Sequence, residues 1–224
     1  MRAEPGWRRH LFYRKESIRT TWKLRFALVA FIVAAGYATF RFWGPLLAGS
    51  LVCSEEVGPT DAILIENFDE NYLLFKRAAE LQRAGSAARV LVPVPPDQDG
   101  KPTLLSTETA ALMCRMAGVQ KPELVAVRET EPITLNAALQ LRDFLQRERL
   151  RSVLLLTSGF RSRRSALVYH RAWAPAGIRV SCLPVFGQTT TANWANRWHG
   201  VEEVIEQLVK LLYYRLYVLP ARAA

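Results

Sequence analysis

The chain has 224 residues, half of them hydrophobic, and 30 Lys and Arg against 20 Asp and Glu give it a net charge of +10. That length and apolar content exclude global disorder and allow one sizeable domain with an appendage. The charge is lopsided: residues 1–25 carry eight Lys/Arg and two Glu, or +6, and the rest of the chain carries only +4, which argues against nucleic acid as a partner.

Beyond the basic tail (residues 1–23), residues 26–40, FALVAFIVAAGYATF, hold no charge and lie between Arg25 and Arg41. From Leu24 to Leu47 the segment can cover ~30 Å of hydrocarbon if both arginines reach the interfaces. Trp22, Tyr37, Phe42 and Trp43 read as interfacial aromatics. No A-x-A site follows closely, so the segment reads as an uncleaved single-pass anchor. The positive-inside rule then puts the tail in the cytoplasm and the chain after the anchor outside it. Residues 48–60 read as a linker. The three cysteines, Cys53, Cys114 and Cys182, show no metal-ligand spacing, and no metal site is predicted. Cys114 and Cys182 read as buried thiols, or as a disulfide pair in an oxidising compartment.

The body, residues 61–218, alternates strand and helix. Asp61–Ile65 is a strand, followed by an exit loop and a helix from about Asn71 to Ala84 that stops at Gly85. Arg89–Val94 is the second strand, expected to end at Pro93 because proline cannot donate to a ladder. After a turn-rich stretch, residues 95–102, Ser106 caps a helix to about Ala117, with Gly118 beyond it. Glu123–Val127 is a third strand and Thr134–Arg149 a long amphipathic helix. Val153–Leu156 is an apolar run that turns polar at Thr157-Ser158-Gly159, and Arg161, Arg163 and Arg164 then open another helix. Ile178–Leu183 is the fifth strand. A polar loop with Trp194 and Trp198 leads to a last helix, about Val201–Val218, striped by Val204, Leu208, Leu211 and Leu212.

Five alternations at a spacing of roughly 30 residues, the length of a βαβ unit, predict a Rossmann-like α/β three-layer sandwich with a mostly parallel five-stranded sheet. Ligands of such sheets sit outside the carboxyl ends of the strands. Four loops converge there: Glu66–Asp69, Val94–Gly100, Arg128–Thr130 and Thr157–Arg161. The helix N-terminus after Thr157-Ser158 suits an anion, and Arg161 and Arg164 match phosphate geometry. Thr157, Ser158, Asn67 and Asn136 complete the predicted ligand-binding set, although Asn136 reads equally as a cap on local backbone. Glu66 and Asp69 read as a catalytic general-base or metal pair, or else as acids preceding a helix N-terminus. No Ser/His/Asp triad stands out among His10, His170 and His199. Arg77 and Glu108 are expected to pair across two helices. Trp194 and Trp198 cover a pocket, meet the membrane or fill core.

With these elements in place the chain resembles the DUF218 family, also called YdcF-like or ElyC/SanA-like, over about residues 60–217. Asp61-Ala62-Ile63-Leu64 is similar to its opening strand, and Arg77-Ala78-Ala79-Glu80-Leu81 with Gly85 to its first helix. Glu108 with Gly118-Val119, Asn136-Ala137, Thr157-Ser158-x-Phe160 with Arg164, Glu206 and Tyr214-Arg215 follow in the family's order. The resemblance implies a bacterial, membrane-anchored envelope protein of cell-wall or exopolysaccharide biogenesis. It also implies a phosphate-bearing precursor or nucleotide-like small molecule as ligand; some members bind S-adenosylmethionine. The chain departs from the family at three places. Glu66-Asn67-Phe68-Asp69 replaces a glycine-rich loop, Arg161 stands where the family has histidine, and Ile133 and Leu135 replace a threonine and a glutamate. Two readings follow: an anchored protein that binds or processes a phosphate-bearing precursor, and a non-catalytic envelope assembly factor that binds a glycan, a lipid phosphate or a protein.

Overall fold

The structure, a computed structural model, describes residues 21–53, 58–66, 71–96 and 103–221. The chain divides into two units, Met1–Trp43 and Gly44–Ala224. Helix α1, Trp22–Ser50, runs through the first and enters the second. Its most apolar window has a mean hydropathy of 1.6 with none of it buried, so it is long and apolar enough to span a membrane. Its few polar side chains turn back on the helix: Thr39 Oγ1 donates to the Ala35 carbonyl at 2.8 Å and Trp43 Nε1 to that of Gly36 at 3.1 Å. Such internal partners are what an apolar solvent requires.

The second unit is a doubly wound sheet. In chain order come β1 (Ala62–Ile65), α2 (Tyr72–Arg83), β2 (Arg89–Val94), α3 (Leu104–Ala117), β3 (Pro122–Ala126), α4 (Ile133–Arg147) and β4 (Ser152–Ser158). A 3-10 turn (Gly159–Arg161), α5 (Ser162–Trp173), β5 (Arg179–Val185) and α6 (Trp198–Tyr213) follow. A wider π turn, Tyr214–Val218, and one last helical turn extend α6 to Ala221. All pairs are parallel, in the order β3-β2-β1-β4-β5, as the sequence predicts. The strands read as apolar runs because both faces are covered. Side chains alternate between them: Ala62, Leu64, Val153 and Leu155 meet α4 and α5, whereas Ile63, Ile65, Leu154 and Leu156 meet α2 and α3. The Trp173 indole ties α5 to α4 by donating to the Ala138 carbonyl at 2.7 Å.

Several local expectations are corrected. Strand β2 runs through Pro93, which pairs with Val125, because pairing with β1 stops at Leu91 and no ladder donor is needed on that side. Helix α3 starts two residues before Ser106, with Thr103 at its N-cap, and Gly118 closes it at φ +80. Arg77 pairs with Glu80 on its own helix at 2.9 Å, not with Glu108. The disulfide joins Cys53 to Cys182, with Cα atoms 6.2 Å apart; Cys114 is the free, buried cysteine. Burial pushes the Cys114 thiol up to about 11, so it is inert near neutral pH. Of the stripe predicted on the last helix, Val204 is buried, Leu208 and Leu211 are half-buried and Leu212 is exposed.

Candidate functional site

The strand order reverses between β1 and β4, and the crevice expected of an open α/β sheet lies at their carboxyl ends. Glu66 occupies that point. Its amide donates to the Leu156 carbonyl at 2.9 Å. Its carboxyl group accepts from Thr157 Oγ1, and from Ser165 Oγ at 2.8 Å to each oxygen. Glu66 is 1% exposed and Thr157 is wholly buried, so both carboxyl oxygens are engaged and closed to solvent. In this arrangement Glu66 ties β1 to β4 and α5. Asn67 and Asp69 lie outside the described residues. Among the described residues no three His, Cys, Asp or Glu cluster as metal ligands.

Beside Glu66, Asn71 caps α2 by accepting from the Leu73 amide at 3.1 Å, and its Nδ2 donates to Ser158 Oγ at 3.2 Å. Asn71, Ser158 and Gly159 line a cavity of about 200 Å³ with Gln188, Thr189 and Glu203. The Glu203 carboxyl is pushed above its ordinary range by burial first and by Glu206 second, with Arg161 opposing. Asn136 proves to hold local backbone: its Nδ2 donates to the Thr130 and Glu131 carbonyls, at 2.9 Å each.

The three arginines have three different placements. Arg163 is exposed, and its amide donates to the Leu51 carbonyl at 3.0 Å. The Cys53 amide donates to Ser162 Oγ at 3.0 Å, and Ser162 Oγ donates to the Gly159 carbonyl. The segment Leu51–Cys53 therefore sits against the first turn of α5, where the sequence predicts an anion. Arg164 is 4% exposed. It donates to Thr134 Oγ1 at 2.7 Å and to Gln207 Oε1 at 3.3 Å, and its guanidinium lies 5.3 Å from the Tyr214 ring centroid. Arg161 is half-buried. It lines a second cavity, of about 260 Å³, with Arg164, Lys210, Tyr213, Tyr214 and the two acids Glu129 and Glu131. These residues follow β3 and β4 or lie on α6, so this cavity too is on the carboxyl side of the sheet.

Tyr169 lies beneath, fully buried, and its hydroxyl has no hydrogen-bond partner among the described residues. Burial first and Glu66 second push that hydroxyl well above its ordinary value, with Arg161 and Arg164 opposing, so it stays neutral. Of the described histidines, His170 is exposed on α5, and the exposed His199 faces Glu202 at 3.6 Å.

Neither a protein-family model nor a curated protein matches the chain. The fold is therefore assigned on its own geometry, as a Rossmann-like parallel α/β sheet carried with a potential membrane-spanning helix. Sequence reasoning missed Ser165, Thr134, Gln207 and Lys210. Gln207 offered one signal: it stands in the apolar stripe of α6 seven residues before Tyr214, and positions seven apart share a helix face.

Proposed function

We propose that the protein is a membrane-anchored, DUF218-like component of the bacterial envelope whose domain binds a phosphate-bearing precursor of cell-wall or exopolysaccharide synthesis. The observation that carries the reading is the cavity of Arg161, Arg164, Lys210, Tyr213 and Tyr214. Guanidinium and ammonium groups suit a phosphate, tyrosine rings offer flat surface to a sugar ring, and Glu129 and Glu131 can accept from sugar hydroxyls. A sugar phosphate is the class of ligand that uses all three. Glu66 is occupied by Thr157 and Ser165, which favours binding over turnover.

The Cys53–Cys182 disulfide supports the compartment. Such bonds persist in oxidising surroundings, which agrees with an anchor in the plasma membrane, the basic tail in the cytoplasm and the domain outside. The alternative is a non-catalytic assembly factor that binds a glycan, a lipid phosphate or a protein.

Arg164 supports the fold, so the test uses Arg161 and Lys210. Full-length protein in detergent is titrated calorimetrically with a sugar 1-phosphate and, separately, with inorganic phosphate. The wild type is expected to bind the sugar phosphate, and Arg161→Ala/Lys210→Ala to bind it at least about tenfold more weakly at unchanged melting temperature, since charge-assisted hydrogen bonds are lost. No binding, or equal binding by the variant, overturns the reading.

A further inference from the structure

A third cavity, the largest described at about 770 Å³, lies away from the strand ends. It is lined by Gly49, Ser50 and Val52, by one face of α5 (Arg163, Ala166, Leu167, His170) and by one face of α6 and its extension (Leu208, Leu211, Leu212, Arg215). The α5 residues recur at intervals of three and four, and so do those of α6, which makes two facing helix surfaces with an apolar floor and basic margins. Among the described residues no acidic side chain lines it. Along α6 an exposed stripe continues from this groove: Ile205, Val209, Leu212 and Leu216 are 54%, 60%, 45% and 71% exposed.

The groove is held in shape. The wall from Gly49 to Val52 is fixed to α5 by the Leu51 carbonyl, which accepts from the Arg163 amide at 3.0 Å. Just beyond, Cys53 is bonded to Cys182, and Ala166 packs on both sulfurs' residues. That wall is also the end of α1. On the reading of α1 as an anchor that ends at Leu47, Ser50 lies three positions, about 4.5 Å of helix, beyond it.

We propose that the groove holds an anionic phospholipid of the bilayer in which α1 sits. An acyl chain lies on Ala166, Leu167, Leu208, Leu211 and Leu212, and the lipid phosphate is bound by Arg163 and Arg215. Three observations select this occupant over another apolar one. The described lining carries the guanidinium groups of Arg163 and Arg215, which complement a phosphate. The groove begins where the anchor ends. The exposed stripe on α6 extends the apolar surface beyond what one chain in a closed pocket would need, as a helix lying in an interface does. The site uses faces of α5 and α6 other than those at Arg161 and Lys210, so it stands or falls separately from the sugar-phosphate cavity.

The test is native mass spectrometry of full-length protein released from detergent, titrated with phosphatidylglycerol and with phosphatidylcholine. The comparison is Arg163→Ser/Arg215→Ser, both exposed side chains, with Leu212→Asn as a second variant directed at the apolar floor. Phosphatidylglycerol is expected to bind the wild type more tightly than phosphatidylcholine. The double arginine variant should weaken phosphatidylglycerol by roughly 25-fold, at about fivefold per arginine, and erase the preference. Leu212→Asn should weaken both lipids alike. Equal binding of the two lipids by the wild type overturns the proposal. So does a preference unchanged in the double variant, which would put the lipid on α1 alone. A protein dimer that excludes lipid and is lost in Leu212→Asn would assign the groove to a second copy.

Discussion

Asp61, the residue before β1, shows how a partly exposed carboxylate can still set the geometry of a sheet end. Its Oδ2 accepts from the amides of Arg151 and Ser152 at 2.7 and 2.8 Å, and its own amide donates to Ser152 Oγ at 3.0 Å. The two strands that flank the crevice are thereby aligned at their amino ends. The Arg151 amide is the main cause that holds this carboxyl below its ordinary 3.8, with burial opposing and Ser152 assisting. A depressed acid contributes stability above its unfolded value and loses it as pH falls through its folded one. Asp61→Asn should therefore cost about 1 kcal/mol at pH 7, discounted for the group's exposure. The difference from wild type should close below pH 3.8, read from urea denaturation across the acid range. A constant difference down to pH 2 would mean that the carboxylate charge is not what the two amides recognise. Residue chemistry also decided the arginines. Arg161 and Arg164 are alike in the sequence, yet Arg164 is buried because Thr134 and Gln207, 30 and 43 positions away, supply acceptors for it. Nothing local to the arginines records those partners.

At the scale of elements, the connection from β4 to α5 is closely packed. Gly159 opens the 3-10 turn, and a Cβ there would lie only 2.2 Å from the Phe186 ring. Phe186 in turn meets Phe160 edge to face, with centroids 5.5 Å apart. Gly159→Ala should destabilise the domain by about 1–3 kcal/mol through overpacking. Adding Phe186→Leu should recover most of that loss in thermal melts. If the second change only adds to the damage, the constraint is the backbone and not the ring. The strands themselves were legible because Ala62–Ile65 and Val153–Leu156 are short apolar runs bounded by polar turns. Pro93 misled because its effect depends on whether β1 still pairs at that height, which is a matter of relative strand length. The stripe on α6 was visible as periodicity, but periodicity marks an apolar face without saying what covers it.

For the whole molecule, alternation at a βαβ spacing was enough to predict a parallel sheet in three layers, because connection length and layer packing leave few alternatives. The site was less legible. Glu66 reads in the sequence as a general base, a metal ligand or an acid preceding a helix N-terminus, and only the convergence of Thr157 and Ser165 shows it engaged. Cys53 lies in a stretch that reads as a linker, so nothing marked it as the partner of Cys182. Closing a loop of 129 residues makes that bond worth roughly 2–5 kcal/mol. Cys53→Ser should lower the melting temperature by about 5–15 °C for a domain of this size and leave Cys182 reactive to a thiol reagent after unfolding. An unchanged melting temperature would show that the bond constrains the unfolded chain little.

The same bond decides how tension travels. A tug along α1 reaches Cys53 and passes directly to Cys182, inside β5, the edge strand held to β4 by the register Ser152–Ser158 against Arg179–Val185. While the bond is intact, the pull enters the sheet at its edge, and β1 at its centre is spared it. Reduction would reroute the pull into β1, beside Glu66. A pull on α1 is thus borne at the rim of the sheet and at the first turn of α5, to which Leu51 and Cys53 are hydrogen-bonded.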